Sequence, residues 1–298
     1  MIDPAQDWPA LPIDAWRETY ATLHMYTQIV GKVRLALAPK VNHWWHVPLS
    51  VDSRGLTTAA IPYRGGNFEI LFDFINHVLR IETSGGSSET LPLGPQAVAD
   101  FYADVMSALR SLGIEVSIWR MPVEIPNPIP FDQDRQHSSY DADQVHRFWT
   151  ALVRMTPVFE EFRGRFIGKA SPVQFFWGGF DLAVTFFSGR RAPDRPSADQ
   201  MTREAYSHEQ ISAGFWPGGR GVDATFFAYV VPEPAGYAES ALRPASAHYD
   251  TNFKEFLLPY EDVRKSPSPP EALRPFLQSS YEAAANLAKW DRAALERS

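Results

Sequence analysis

The sequence predicts an α+β fold of two similar halves, each an antiparallel β-meander packed with flanking helices. Three observations carry this. Short alternating apolar segments follow one another between Gly, Pro and Asn punctuation. Amphipathic helical stretches bracket them. The order of the first half then returns in outline after a proline-rich break.

In chain order, Asp14 is placed to cap a helix running to about Gln28, with Trp16, Tyr20, Leu23 and Thr27 on one stripe. Strands are expected at "KVRLALA" (32–38), "HVPLSV" (46–51), "GLTTAAI" (55–61), "FEILFDF" (68–74) and "VLRIET" (78–83). Pro95 opens a second helix carrying Val98, Phe101, Val105, Leu109 and Leu112. Gly113 ends it, and "IEVSIW" (114–119) reads as a strand. The four prolines of "MPVEIPNPIPFDQD" (121–134) mark a linker. This divides the chain into a first half at 1–120, a linker at 121–140 and a second half at 141–298, forming one compact unit.

The second half begins with a helix from Asp141, interrupted near Pro157, and ends with a long alanine-rich helix at 269–295. "IVGK" (29–32) recurs as "FIGK" (166–169). At a constant shift, about four residues smaller than that of the Gly-Lys pairs, Trp44, Val47, Leu49 and Val51 fall on Trp177, Phe180, Leu182 and Val184.

A chain that is 45% hydrophobic builds a packed core, and a net charge of −7 argues against nucleic acid or an anionic membrane as partner. The absence of cysteine excludes disulfides, thiolate zinc sites and cysteine nucleophiles. No stretch approaches the roughly 18 apolar residues of a membrane span, and the N-terminus lacks a signal-peptide pattern. A cytoplasmic protein is expected; its oligomeric state stays open.

The densest chemistry is "NHWWHVPLSV" (42–51). On a strand, Trp45, Val47, Leu49 and Val51 would face the core, with Trp44 and His46 on the opposite face. His43 and His46 would then point apart, which defeats a two-histidine chelate. In the second half Trp177 and Asp181 take the matching positions. A covered face with a backbone-bonded His46 is the competing explanation. "EAYSHEQISAGFWPGG" (204–219) adds Tyr206, His208, Glu209 and Trp216, but Ser212 stands where a His-Glu-x-x-His zinc motif needs its second histidine. His24 sits at the edge of the first helix's apolar stripe. Asp132, Asp134 and His137 lack the glycine and glutamate of a calcium loop, so capping is the plainer reading. No nucleotide or flavin motif, Gly-x-Ser-x-Gly elbow or phosphate loop occurs.

Together "TLHMYTQIVGKVRLAL", "NHWWHVPL", "FWGGFDLAVTFFSGR", "EAYSHE" and "GFWPGG" resemble a bacterial family of uncharacterised proteins, the domain of unknown function numbered 5996. The resemblance runs from Trp8 to about Leu295 and implies no substrate, cofactor or catalytic residue. The family pattern has histidine where this chain has Gln174, which puts in doubt any mechanism needing an imidazole there.

Two readings follow. In the first, the chain is an enzyme acting on a small organic molecule in an aromatic pocket. His46 or His208 is the base and Asp181 or Glu209 its partner. Trp44, Trp177, Tyr206, Trp216 and His24 contact substrate, and a divalent metal held by His and carboxylates is a variant. In the second, it is a non-catalytic small-molecule-binding or protein-assembly protein with structural histidines. A deep pocket with an ionisable cluster favours the first.

Overall fold

The computed structural model describes residues 8–219 and 221–297. It opens with helix α1 (Ile13–Leu37), which runs well past Gln28 and takes in the segment expected as a strand at 32–38. "KVRLALA" satisfies helical as well as alternating spacing, and tertiary contacts decide between them. Val30 and Val33 are buried beside Ile29 and Tyr26. Arg34 donates to the carbonyls of His46 (2.8 Å) and Pro48 (2.6 Å). Asp14 lies inside the first turn, ion-paired with Arg17, and Pro12 takes the N-cap position.

Six strands follow: β1 (Ser50–Val51), β2 (Gly55–Thr57), β3 (Ile61–Tyr63), β4 (Gly66–Asp73), β5 (Val78–Thr83) and β6 (Ser88–Pro92). They pair antiparallel in the order β1-β2-β4-β5-β6, with β3 also on β4, so β2 and β3 behave as one strand broken near Ala59 (φ 51°). Alternation turns the cross-strand pairs Ile70–Ile81 and Phe72–Leu79 inward. Helix α2 (Val98–Ser111) buries Val98, Phe101, Val105 and Leu109. Phe101 stacks on Tyr26 of α1 at 3.8 Å. The expected strand at 114–119 is not one: Ile114 and Ile118 are buried, but among the described residues no ladder pairs with it.

The second half repeats the plan. Helix α3 (Ala142–Gly164) is capped by Asp141, whose carboxylate accepts from the Gln144 amide. It continues through Pro157, because burial of Val158, Phe159 and Phe162 offsets the hydrogen bond that proline removes. Then come β7 (Gln174–Phe176), β8 (Asp181–Arg191), α4 (Gln200–Ala205), β9 (His208–Trp216), β10 (Thr225–Val231), β11 (His248–Asp250) and β12 (Glu255–Pro259). Helices α5 (Tyr260–Arg264), α6 (Pro269–Leu287) and α7 (Arg292–Leu295) close the chain, the last two standing where one long helix is expected. The sheet runs β11-β12-β10-β9-β8-β7, all antiparallel. Its inner face, with Leu182, Val184, Phe215 and Phe226, is buried and packs toward α3 and α6.

The two halves are therefore similar, each a six-stranded antiparallel sheet flanked by helices. The similarity is one of architecture: Gly31-Lys32 lies inside α1 whereas Gly168-Lys169 follows the end of α3, so those pairs do not correspond. The sheets meet at one backbone pair, Leu49 with Phe175, bonded both ways at 2.9 and 2.8 Å. Leu49 and Leu182 are fully buried on either side of this seam. Leu49→Ala and Leu182→Ala are each expected to lower unfolding free energy by roughly 2 to 5 kcal/mol in urea titrations. Near-zero losses at both would remove those side chains from the core.

Candidate functional site

The outer face of the second sheet carries residues that its inner-face neighbours leave pointing outward. The register sets Thr185 beside Ser212 and Ser212 beside Tyr229, a polar row across β8, β9 and β10. The Thr185 and Ser212 hydroxyls lie 3.1 Å apart. Next to it runs an apolar row of Ala183, Gly214, Phe227 and Leu257. Over this face lies a cavity of about 1020 Å³. Its cover comes from the N-terminal part of α1, residues 43–45 and 47–48, residues 124–126 and the region of α4.

The stretch "NHWWHVPLSV" (42–51) is where sequence and structure part. Residues 42–44 form a 3₁₀ turn, with His43 and Trp44 at φ 55° and 62°, and only Ser50–Val51 is strand. The strand-face assignment of 44–51 is therefore wrong. Side chains from distant elements satisfy its backbone instead of a ladder: Arg34 on the His46 and Pro48 carbonyls, Gln174 on that of Trp45 (3.0 Å), Trp177 on that of Val47 (3.0 Å). His46 is buried, its Nδ1 accepting from the Val41 amide at 3.1 Å, and its ring stacks on Trp44. Burial lowers its pKa, and it does not line the cavity. His43 does, with Nδ1 3.2 Å from the Ala205 carbonyl.

The other expected residues divide. His208 begins β9, on a strand and not a helix, with its Nδ1 3.0 Å from the Ser207 hydroxyl. Its ring lies 5.5 Å from that of His43, outside the lining. Glu209 is held away from the cavity by Arg190 (2.6 Å) and Ser188 (3.0 Å). Trp177 sits in the β7–β8 turn, not on a strand, and packs behind the wall. Its indole lies so close on Gly31 that a Cβ there would overlap it. Trp44, Tyr206, Trp216, His24 and Asp181 all line the cavity.

Helix α1 presents a buried polar stripe of His24, Gln28 and Lys32, four residues apart. Lys32 donates to the Met121 carbonyl (2.9 Å). Gln28 bonds both the amide and the carbonyl of Val123 at 2.8 Å. His24 Nε2 donates to the Gly178 (2.8 Å) and Trp177 (3.0 Å) carbonyls, and burial lowers its pKa to about 4, so it is neutral. This stripe fixes the 121–124 segment against the 177–179 turn. There a Cβ on Gly178 would overlap the Glu124 carboxylate, and one on Gly179 would sit 2.6 Å from Asp181 Oδ1 and 3.5 Å from Glu124 Oε2. Only glycine lets both carboxyls close over the turn.

Burial raises the Asp181 pKa well above the usual carboxylate range, and Glu124 and Glu255 add to it. Glu255, at the start of β12, is pushed up to about 7 by burial, with Asp250 contributing. The Tyr229 hydroxyl, 3.4 Å from that of Tyr206, is raised by burial as well. Glu255, Tyr229 and Gln210 escaped the sequence reading. Their signal is a polar residue set among apolar ones at an outward position of each strand: Gln210 and Ser212 in "HEQISAGFW", Tyr229 in "TFFAYVV" and Glu255 in "EFLLP".

Among the described residues no three His, Asp or Glu side chains are grouped to hold a metal ion. At 131–141, Asp134 caps the Gln136 and His137 amides and Asp132 pairs with Arg120. Among the described residues no helix is long and apolar enough to cross a membrane. No curated protein and no solved structure matches the chain. A family model described as a family of unknown function (DUF5996) matches residues 8–297.

Proposed function

Since the chain belongs to this family of unknown function, we propose its activity from the site itself: acid–base catalysis on a small organic molecule held in the aromatic cavity, with Glu255 exchanging the proton. The observation that carries this is a carboxyl facing the cavity whose pKa stands at about 7. A general acid–base works best when its pKa matches the working pH, since both forms are then populated. The Tyr229 hydroxyl and the Thr185–Ser212 pair line the same space and supply further hydrogen-bonding groups. Trp44, Trp216, Tyr206 and Phe227 form apolar walls that orient a flat or elongated substrate. Asp181 remains a member of the site, as a binding group. His46, His208 and Glu209 carry no step in this scheme.

A metabolite-library melt with the wild-type chain and Glu255→Gln, followed by mass spectrometry of each stabilising mixture, tests it. Compounds that raise the melting temperature of both proteins but are chemically changed only by wild type are the expected result. Ligands that stabilise and are never transformed would make this a binding protein.

A further inference from the structure

We propose that the molecule bound in this cavity is an organic cation, an amine carried on an aromatic or similarly flat body, with Asp181 as the anchor of its ammonium group. The inference rests on the cavity being a ligand site, and it adds the ligand's charge. The charged groups set into the interior are carboxyls, beside hydroxyls that can donate or accept. Asp181 and Glu255 both face the cavity, and among the described residues neither forms an ion pair with lysine or arginine. Gln210 lines it too, is only 4% exposed, and its Oε1 has no hydrogen-bond partner. A buried acceptor without a partner costs stability unless something donates to it. A ligand N–H does so; a carboxylate or ether oxygen does not.

The cations of the lining occupy its exposed margin. Arg17 is spent on Asp14, the Arg195 guanidinium rests 4.6 Å from the centre of the Tyr206 ring, and Lys254 is solvent-exposed. Of the two lining histidines, His24 is neutral and His43 has its pKa lowered by burial and by Lys169. Among the described residues the interior thus offers no fixed positive charge to an anion. Its aromatic faces, Trp44, Trp216 and Tyr229 among them, carry negative π density that attracts a cation and repels a carboxylate. An ammonium placed by Asp181 also reverses what burial does to that carboxyl. With Glu124 and Glu255 facing it and His24 neutral, Asp181 sheds its proton once a positive charge arrives.

Three probes with one indole body separate charge from shape: tryptamine, tryptophol and indole-3-acetate, which bear an ammonium, a hydroxyl and a carboxylate. Titration calorimetry with the whole chain at neutral pH is expected to show tryptamine binding at least tenfold tighter than tryptophol, with indole-3-acetate weakest. Asp181→Asn, which keeps the side-chain shape, should bring tryptamine to the level of tryptophol while leaving tryptophol unchanged. The unliganded melt of that variant checks that it folds. If it does not fold, the order of the three probes on wild type decides the matter alone. Equal affinity for all three, or a preference for the acetate, overturns the cation while leaving a ligand cavity in place. Binding by none of them at millimolar concentration overturns the cation and counts against the cavity as a ligand site as well.

Discussion

Trp177→Ala is expected to lower unfolding free energy by about 3 to 5 kcal/mol, a loss at the upper end of core truncations. The side chain is 5% exposed and fills the contact against Gly31 of α1. It also donates its indole N–H to the Val47 carbonyl at 3.0 Å, so truncation leaves a buried acceptor unpaired as well as a void. Trp177→Phe separates the two effects. It keeps most of the volume and loses the donor, and should cost about 1 to 2 kcal/mol. Gly31→Ala attacks the same contact from the helix side, since the added methyl overlaps the indole. Combined with Trp177→Ala it should cost less than the two changes summed, because the void accepts the methyl. Urea unfolding of wild type and the four variants gives these values. Full additivity would mean that Trp177 and Gly31 do not share a contact in the folded chain.

That contact also shows why the site was harder to read than the fold. The meander strands 66–73 and 78–83 alternate cleanly and pair with sequence neighbours, so their pattern alone locates them. The α+β plan and the inner face of β8 rest on the same local signal. Apart from its last residues, Ser50–Val51 on β2, "NHWWHVPLSV" has no such neighbour. Its backbone is satisfied by Arg34, Gln174 and Trp177, the last two 129 and 130 residues away, and a period-2 reading has no way to register that. "KVRLALA" shows the complementary failure, since it fits both periods and only the reach of Arg34 to the His46 and Pro48 carbonyls favours helix. The cavity is non-local too: α1, residues 124–126 and the second sheet bring Asp181 and Glu255 into one space from separate strands. Asp181 is legible because it falls, with Trp177, on the non-core face in the positions that match His46 and Trp44 of the first half. Glu255 was missed because "KEFLLP" reads as an ordinary strand end, and its burial exists only once β12 joins β10.

Glu255→Gln is expected to remove turnover while making the protein more stable at neutral and alkaline pH. The amide cannot exchange a proton, so a reaction that depends on this carboxyl should slow by about a hundredfold or more, with substrate affinity little changed. In wild type, the rate should titrate with an inflection close to the pKa of about 7. Stability moves the other way. Burial raises this carboxyl from its ordinary 4.5 to about 7, so between those values the folded chain binds more protons than the unfolded one. Unfolding free energy therefore falls as pH rises through that window, and the full cost of an enclosed carboxylate is present above it. The glutamine variant is free of that cost. Its stability should match wild type near pH 4 and exceed it by about 2 to 3 kcal/mol near pH 8. The Glu255 charge also helps to hold the Asp181 carboxyl protonated, so relief of that repulsion is part of the variant's gain at high pH and has the same sign. Urea melts of both proteins across pH 4 to 8 measure it. A difference that stays flat with pH, or that favours wild type at pH 8, would show that Glu255 is ionised and solvated at neutral pH, and with that the acid–base assignment would fall.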